Sequence, residues 1–130
     1  MFACSGILFN HEFPLRPARF VTQKIVLIAC RIPRRSPEKL LLGDISVQRE
    51  WGWALEYVEA MYLMLQQSKP DDYVIATGEI QALKEFVVQP FATLGLAWEE
   101  HTVIDTSLYR RPTEIALGKG NPAKAKEKLG

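Results

Sequence analysis

The stretch from Trp53 to Gln67 constrains the fold of this chain more than any other. Ala54, Tyr57, Val58, Met61, Met64 and Leu65 recur at i, i+3, i+4, i+7, i+10 and i+11, with Glu56, Glu59 and Gln66 turned away, so the spacing predicts an amphipathic helix. The turn Ser68 to Asp72, built on Lys69-Pro70-Asp71, follows it, and Tyr73-Val74-Ile75-Ala76 then reads as a buried strand. A helix delivered by a short turn into a buried strand points to an α/β arrangement.

Other segments repeat the alternation. Ser5 to Phe9 reads as a buried strand ending in the polar cluster Asn10-His11-Glu12, at the strand end where α/β sheets carry their ligands. Pro14 and Pro17 hold the chain extended, and Phe20 to Arg31 reads as an apolar helix that cannot continue through Pro33. Arg31, Arg34 and Arg35 cluster near its end, where cations complement the helix dipole. Leu40 to Leu42 is a short strand closed by Gly43-Asp44. Gln81 to Leu94 resumes the helical period through Leu83, Phe86, Val87, Phe91 and Leu94, with a kink or break expected at Pro90. Glu99 to Leu108 is weakly periodic and reads as a linker. Asn121-Pro122 opens a last helix that runs to Lys128, with Gly130 past its end.

Composition narrows the classes. The 130 residues carry 16 Lys+Arg against 15 Asp+Glu, a formal charge of +1, which excludes a polyanion-binding arm and argues against nucleic acid as a partner. The charge is unevenly spread, with eight basic and three acidic side chains in residues 1–49, three and ten in 50–110, and five and two in 111–130. The longest apolar run, Ile25 to Cys30, falls far short of the roughly 20 residues that span a bilayer, and the start lacks the basic region of a secretory signal. Cys4 and Cys30 are too few and too far apart for a disulfide framework or a C-x-x-C pair, and both are expected reduced in the core of a cytoplasmic protein. His11 and His101 are the only histidines, and no metal site is expected.

Catalytic constellations are missing. There is no G-x-G-x-x-G after a strand, and Gly118-Lys119-Gly120 lacks the upstream glycine and Ser/Thr of a phosphate loop. No tyrosine is followed by lysine four residues later, so a Tyr/Lys acid–base pair for hydride transfer is absent. No catalytic residue is assigned within this chain. What it does hold is anion chemistry: Arg16 and Lys24 around the first loop, Arg49 beside Glu50-Trp51-Gly52, and Arg110-Arg111-Pro112-Thr113-Glu114. Arginine meets phosphate as a planar bidentate fork, and a carboxylate such as Glu114 accepts from sugar hydroxyls.

These residues carry a resemblance. Gly6-Ile7-Leu8-Phe9-Asn10-His11-Glu12, Phe20-Val21-Thr22 with Lys24-Ile25, Arg49 with Trp51-Gly52, Tyr57-Val58-Glu59-Ala60-Met61, Asp72 to Glu79, Arg111-Pro112-Thr113-Glu114 and Asn121 to Gly130 follow one another as in the GDP-mannose 4,6-dehydratases, which the chain resembles over essentially its whole length. The resemblance implies the carboxyl-terminal part of a Rossmann-type extended short-chain dehydrogenase/reductase with its substrate-binding subdomain, incomplete, with residues 1–130 as a single truncated domain. In that family NADP oxidises the mannosyl C4 hydroxyl, water leaves across C5 and C6, and the hydride returns to C6, giving GDP-4-keto-6-deoxy-mannose. Matched residue by residue, His11 and Arg16 look like NADP contacts, and Asn10, Val21, Lys24, Arg49, Arg111 and Glu114 look like GDP-mannose contacts. The family is oligomeric.

The chain also departs from the family pattern. Phe13 stands where serine is usual, Leu15 for arginine, Pro17 for glycine, Asp44 for asparagine, Trp53 for histidine and Leu55 for arginine. The family's nucleotide-binding glycine motif and its Thr-x-Glu and Tyr-x-x-x-Lys pairs have no counterpart in these 130 residues. The expectation is therefore a dehydratase homologue that keeps most of the substrate half and is inactive alone, completed by a complementary amino-terminal fragment if it is to turn over. The alternative is a non-catalytic nucleotide-sugar-binding or interaction module that associates with a full-length dehydratase. A related epimerase or reductase acting on another nucleotide sugar is a third reading.

Overall fold

The computed structural model describes residues 1–34, 36–108 and 117–130. Along the chain the elements are β1 (Ser5–Leu8), β2 (His11–Glu12), α1 (Val21–Arg31), β3 (Leu40–Leu42), β4 (Gln48–Arg49), β5 (Gly52–Trp53), α2 (Ala54–Leu65), β6 (Asp72–Ile75), β7 (Gln81–Ala82), α3 (Leu83–Thr93), α4 (Trp98–His101), β8 (Thr102–Ile104), β9 (Leu117–Gly118) and α5 (Ala123–Leu129), with 3-10 turns at Ile32–Arg34 and Thr106–Leu108. The chain divides into two compact units, one of Met1–Phe13, Arg49–Ile80 and Gly118–Gly130, the other of Pro14–Gln48 and Gln81–Leu117. No helix among the described residues is long and apolar enough to cross a membrane.

In the first unit β1 and β6 pair in parallel, Ser5 opposite Asp72 through Leu8 opposite Ile75. β2 and β5 pair the same way, His11 opposite Gly52 and Glu12 opposite Trp53. α2 follows β5 directly and leads through a short turn into β6. Its inward residues Tyr57 and Met64 join Tyr73, Ile75 and Ala125 in a buried cluster against which Cys4, Ala60 and Leu129 pack. Each large side chain buried there contributes roughly 1.5–3 kcal/mol. At α5, Asn121 Oδ1 accepts the N–H of Ala123 at 3.0 Å, and Pro122 stands at the cap one residue later than the sequence suggested.

Two expectations change in this unit. β1 is exposed at all four residues, because its only partner among the described residues is β6. The core face of α2 is narrower than the periodicity implied: Val58, Met61 and Leu65 are exposed, while Ala60 takes part in the packing. α2 is apolar over more of its circumference than one core requires, so periodicity alone cannot say which flank faces inward.

In the second unit β3 and β8 pair in parallel, Leu40 opposite Thr102 and Leu42 opposite Ile104. α1 packs on α3 and on β3, and the buried side chains are Ile25 and Ala29 of α1, Leu40 and Leu42 of β3, and Leu83, Val87 and Phe91 of α3. α3 continues through Pro90 without ending there. Burying Val87 and Phe91, both fully inaccessible, is worth about as much as the roughly 3 kcal/mol that an interior proline costs. Glu99 to Leu108 is no linker, since it contains β8 and parts of α4 and a 3-10 turn. Its order comes from pairing with a strand some sixty residues earlier, which leaves no local signature. Cys30 is exposed rather than buried, and Cys4 is half-buried.

Candidate functional site

The second unit places three of the sequence-predicted residues around the amino terminus of α1. Phe20 caps the helix in an extended conformation with no side-chain cap, and no acidic residue stands in the first turn. The first amide donors of the helix therefore keep their affinity for an anion. Val21, the first helical residue, can offer a ligand only its backbone N–H as a polar group, and that is what this position presents. Arg16 stacks its guanidinium 3.6 Å from the centre of the Phe20 ring, with Arg19 at 5.3 Å on the same ring. Stacking fixes the plane of a guanidinium and leaves its edge to hydrogen bonding. Thr22, in the same turn, is 4% exposed and its hydroxyl has no hydrogen-bond partner.

Lys24, one turn on, donates from Nζ to the carbonyl of Leu41 at 2.6 Å and so ties α1 to β3. Its ammonium has further donors, and its charge stands beside the helix terminus. Asp44, an acid where the dehydratase pattern has asparagine, is already engaged. Its Oδ1 accepts the hydroxyl of Ser46 at 2.6 Å and the Ser46 N–H at 2.8 Å, and these bonds hold its carboxyl below the usual range.

The first unit carries Asn10, His11 and Arg49. The carbonyl of Asn10 accepts from the N–H of Gly52 at 3.0 Å and from the hydroxyl of Tyr57 at 3.4 Å, so its side-chain amide is what it offers a ligand. His11 has Nδ1 2.9 Å from the carbonyl of Phe9 and its ring centre 4.7 Å from that of Tyr57. Burial pushes the Tyr57 phenol up, and the charges of Glu50 and Glu56 add to the shift, so it stays a donor. Phe13 and Trp53, both aromatic where the dehydratase pattern has polar residues, meet at 5.3 Å between ring centres. The aliphatic part of Arg49 runs along Gly118, where an added Cβ would lie 3.4 Å from Cδ. Arg111 and Glu114 lie outside the described residues.

One residue that the sequence did not single out organises this unit. Glu50 is wholly buried. Its Oε2 accepts the N–H and hydroxyl of Thr77 at 2.8 and 3.1 Å and the N–H of Gly78 at 3.3 Å, while Oε1 accepts the N–H of Gly120. Two glycine-bearing turns that face the carboxyl end of β6 are thus filled by the protein's own anion. The only sequence signal was the donor-rich pair Thr77-Gly78 and Gly118-Lys119-Gly120, which needs an acceptor if it is buried. Beside it an open cleft of about 670 Å³ is lined by Thr77, Gly78, Glu79, Lys119, Gly120, Asn121, Pro122, Ala123 and Lys126. Among the described residues, none of those predicted from the sequence to form the site lines it. Nor, among them, could any group of three or more His, Cys, Asp or Glu hold a metal ion.

Comparison with known proteins gives these arrangements a family. The family model described as GDP-mannose 4,6 dehydratase matches residues 1–130. The chain is 53% identical over 130 residues to GDP-mannose 4,6 dehydratase 1 of Arabidopsis thaliana, covering 100% of this chain and 36% of that protein. It is 42% identical over 146 residues to GDP-mannose 4,6 dehydratase of Homo sapiens, covering 99% of this chain and 39% of that protein. It therefore spans less than half the length of these relatives. Among solved structures it is similar to RMD from Pseudomonas aeruginosa complexed with NADPH, with a TM-score of 0.82 at 20% identity over 95% of this chain and 40% of that one. It is also similar to dTDP-glucose 4,6-dehydratase from Bacillus anthracis in complex with NAD, with a TM-score of 0.74 at 18% identity over 95% of this chain and 37% of that one. The fold is that of part of a Rossmann-type extended short-chain dehydrogenase/reductase, and the chain belongs to the GDP-mannose 4,6 dehydratase family.

Proposed function

We propose that this chain supplies the sugar-nucleotide side of a GDP-mannose 4,6-dehydratase site, for conversion of GDP-mannose to GDP-4-keto-6-deoxy-mannose, and that the 130-residue chain alone does not turn over. The observation that carries the reading is the amino terminus of α1: an uncapped helix end that begins at Val21, Lys24 one turn on, and a buried Thr22 hydroxyl without a partner. A diphosphate suits such a place, because helix amides and an ammonium group supply donors to one anion. Val21 and Lys24 serve the nucleotide there. Asn10 and Arg49, with Arg111 and Glu114, serve the remainder of the sugar nucleotide.

The residues present fit one edge of NADP and not the whole of it. His11 and Arg16 supply cofactor contacts, yet the glycine turns at the carboxyl end of β6 already hold the Glu50 carboxylate and cannot cradle a diphosphate as well. When bound, the nicotinamide takes up and returns the hydride. This chain's own part is to bind and orient the sugar nucleotide. A dehydratase chain carrying the catalytic and dinucleotide-binding motifs is the partner that turnover calls for.

Incubating the pure chain with GDP-mannose and NADP and separating the nucleotide sugars tests this. No 4-keto sugar is expected. Product formed in proportion to chain concentration contradicts the reading.

A further inference from the structure

Phe13 and Trp53, two of the residues that depart from the dehydratase pattern, lie far apart in sequence and meet in space, with ring centres 5.3 Å apart and planes tilted by 42°. They stand next to His11. Phe13 follows His11 by two residues, Pro14 holds it extended, and side chains two apart on an extended segment share a face. Trp53 is the amino-terminal cap of α2, and Tyr57 stands one turn further on. Four rings thus make two rungs between this segment and the start of the helix. Phe13 meets Trp53 in the outer rung, and His11 meets Tyr57 in the inner one, with ring centres 4.7 Å apart and planes at 31°. Gly52, paired with His11 in the β2–β5 ladder, makes room for the inner rung, since a Cβ there would lie 2.3 Å from the Tyr57 ring.

The backbone alone holds little here. β2 and β5 are two residues each, too short for their ladder to fix the direction of the segment, and aromatic contacts add a geometric preference of their own. The His11 ring has a definite state to keep. Its Nδ1 lies 2.9 Å from the carbonyl of Phe9, and a carbonyl only accepts, so Nδ1 carries the proton. The neutral ring then presents a lone pair, not an N–H, at Nε2. We propose that Phe13 and Trp53 are positioning residues for His11: the outer rung pins the segment that bears the imidazole and keeps that ring, stacked on Tyr57, in its Nδ1–H form. All four residues belong to one compact unit. That His11 serves a cofactor rests on the reading given above, whereas the state of its ring and its dependence on the outer rung do not.

The test is long-range nitrogen–proton NMR correlation of the imidazoles in the ligand-free chain, recorded well above the usual histidine pKa of about 6.5. His11 and His101 are the only histidines, and His101, in the other compact unit, is the internal reference. The wild-type His11 signal should be that of the Nδ1–H form. Phe13→Ala and Trp53→Ala should each lower the ratio of Nδ1–H to Nε2–H about threefold or more. The double variant should lose no more than the worse single one, because both remove the same rung, and Trp53→Phe should keep the wild-type ratio. Circular dichroism checks the helix content, and Phe13→Leu and Trp53→Leu, which keep apolar bulk without the ring pair, repeat the measurement with the same loss expected should alanine lower it. An Nε2–H signal in the wild type, an unchanged ratio in the variants that break the rung, losses that add in the double variant, or a loss in Trp53→Phe equal to that in Trp53→Ala would each overturn the proposal. Titrating NADP into the same samples reads the cofactor contact separately: the expected tautomer pattern without NADP binding supports the proposal and contradicts only the cofactor reading.

Discussion

Glu50 and Thr77, 27 residues apart in sequence, are joined through a single carboxylate oxygen that accepts both the N–H and the hydroxyl of Thr77, at 2.8 and 3.1 Å. The same carboxylate also reaches Gly78 and Gly120. One buried anion thus pins the ends of three chain segments, 49–53, 76–79 and 118–122, in the first unit. Removing an acceptor from buried donors costs their full desolvation, so Glu50→Ala should destabilise by about 3 kcal/mol, and Glu50→Gln by less because one oxygen remains. Urea unfolding followed by circular dichroism measures this. A loss under about 1 kcal/mol for the alanine variant contradicts the role assigned to Glu50.

Gly120 is needed for space. A Cβ there would stand 2.6 Å from that of Ala76 and 3.0 Å from the Phe9 ring. Gly95 has φ +68 with nothing within 4 Å, so its requirement is conformational alone. Gly120→Ala is expected to cost about 1–3 kcal/mol through overpacking, and Gly95→Ala about 1 kcal/mol through left-handed backbone strain. Thermal denaturation of the two variants should therefore rank Gly120→Ala as the more damaging. The reverse order would mean that the 118–122 segment does not pack tightly on Ala76 and Phe9.

Asp71 receives the ammonium groups of Lys124 at 2.5 Å and Lys128 at 2.9 Å, which fastens the turn before β6 to α5. The hydrogen bond from Lys124, then that from Lys128 and the N–H of Asp72, hold its carboxyl well below the usual carboxylate range. A depressed folded value means that the stabilisation is present above the unfolded value of about 3.9 and is lost as pH falls below it. Lys128 is raised by the same partner, so its share is present below about 10.4 and lost as pH rises beyond that. Asp71→Asn removes both linkages. It should lower the melting temperature near neutral pH, and flatten both the fall between about pH 5 and pH 2 and the fall above about pH 10.4. An unchanged acid limb contradicts the assignment.

Local features were legible in the sequence and distant ones were not. The helices near Phe20 to Arg31, Trp53 to Gln67 and Asn121 to Lys128 appeared within a residue or two of their expected ends, because periodicity and caps are written locally. β8 escaped notice because its reason for being a strand is Leu40 to Leu42, some sixty residues earlier. The continuation of α3 through Pro90 depends on the burial of Val87 and Phe91, a tertiary gain that offsets a local cost. At the candidate site, Arg16, Val21 and Lys24 were named individually, but the uncapped terminus that gives them a common target shows only in three dimensions. Glu50 looked like one more acid beside an arginine. Nothing in its neighbours announced that four donors from Thr77, Gly78 and Gly120 would surround it.

Calorimetric titration of the chain with GDP-mannose tests the central claim most directly, with Lys24→Ala and Arg49→Ala measured beside it and GDP alone as a control for the diphosphate part. The account expects saturable one-site binding, weakened about tenfold or more by each variant, as loss of a charge-assisted contact of about 1.5–3 kcal/mol requires. Absence of binding by a chain shown to be folded, or binding indifferent to both substitutions, would contradict it.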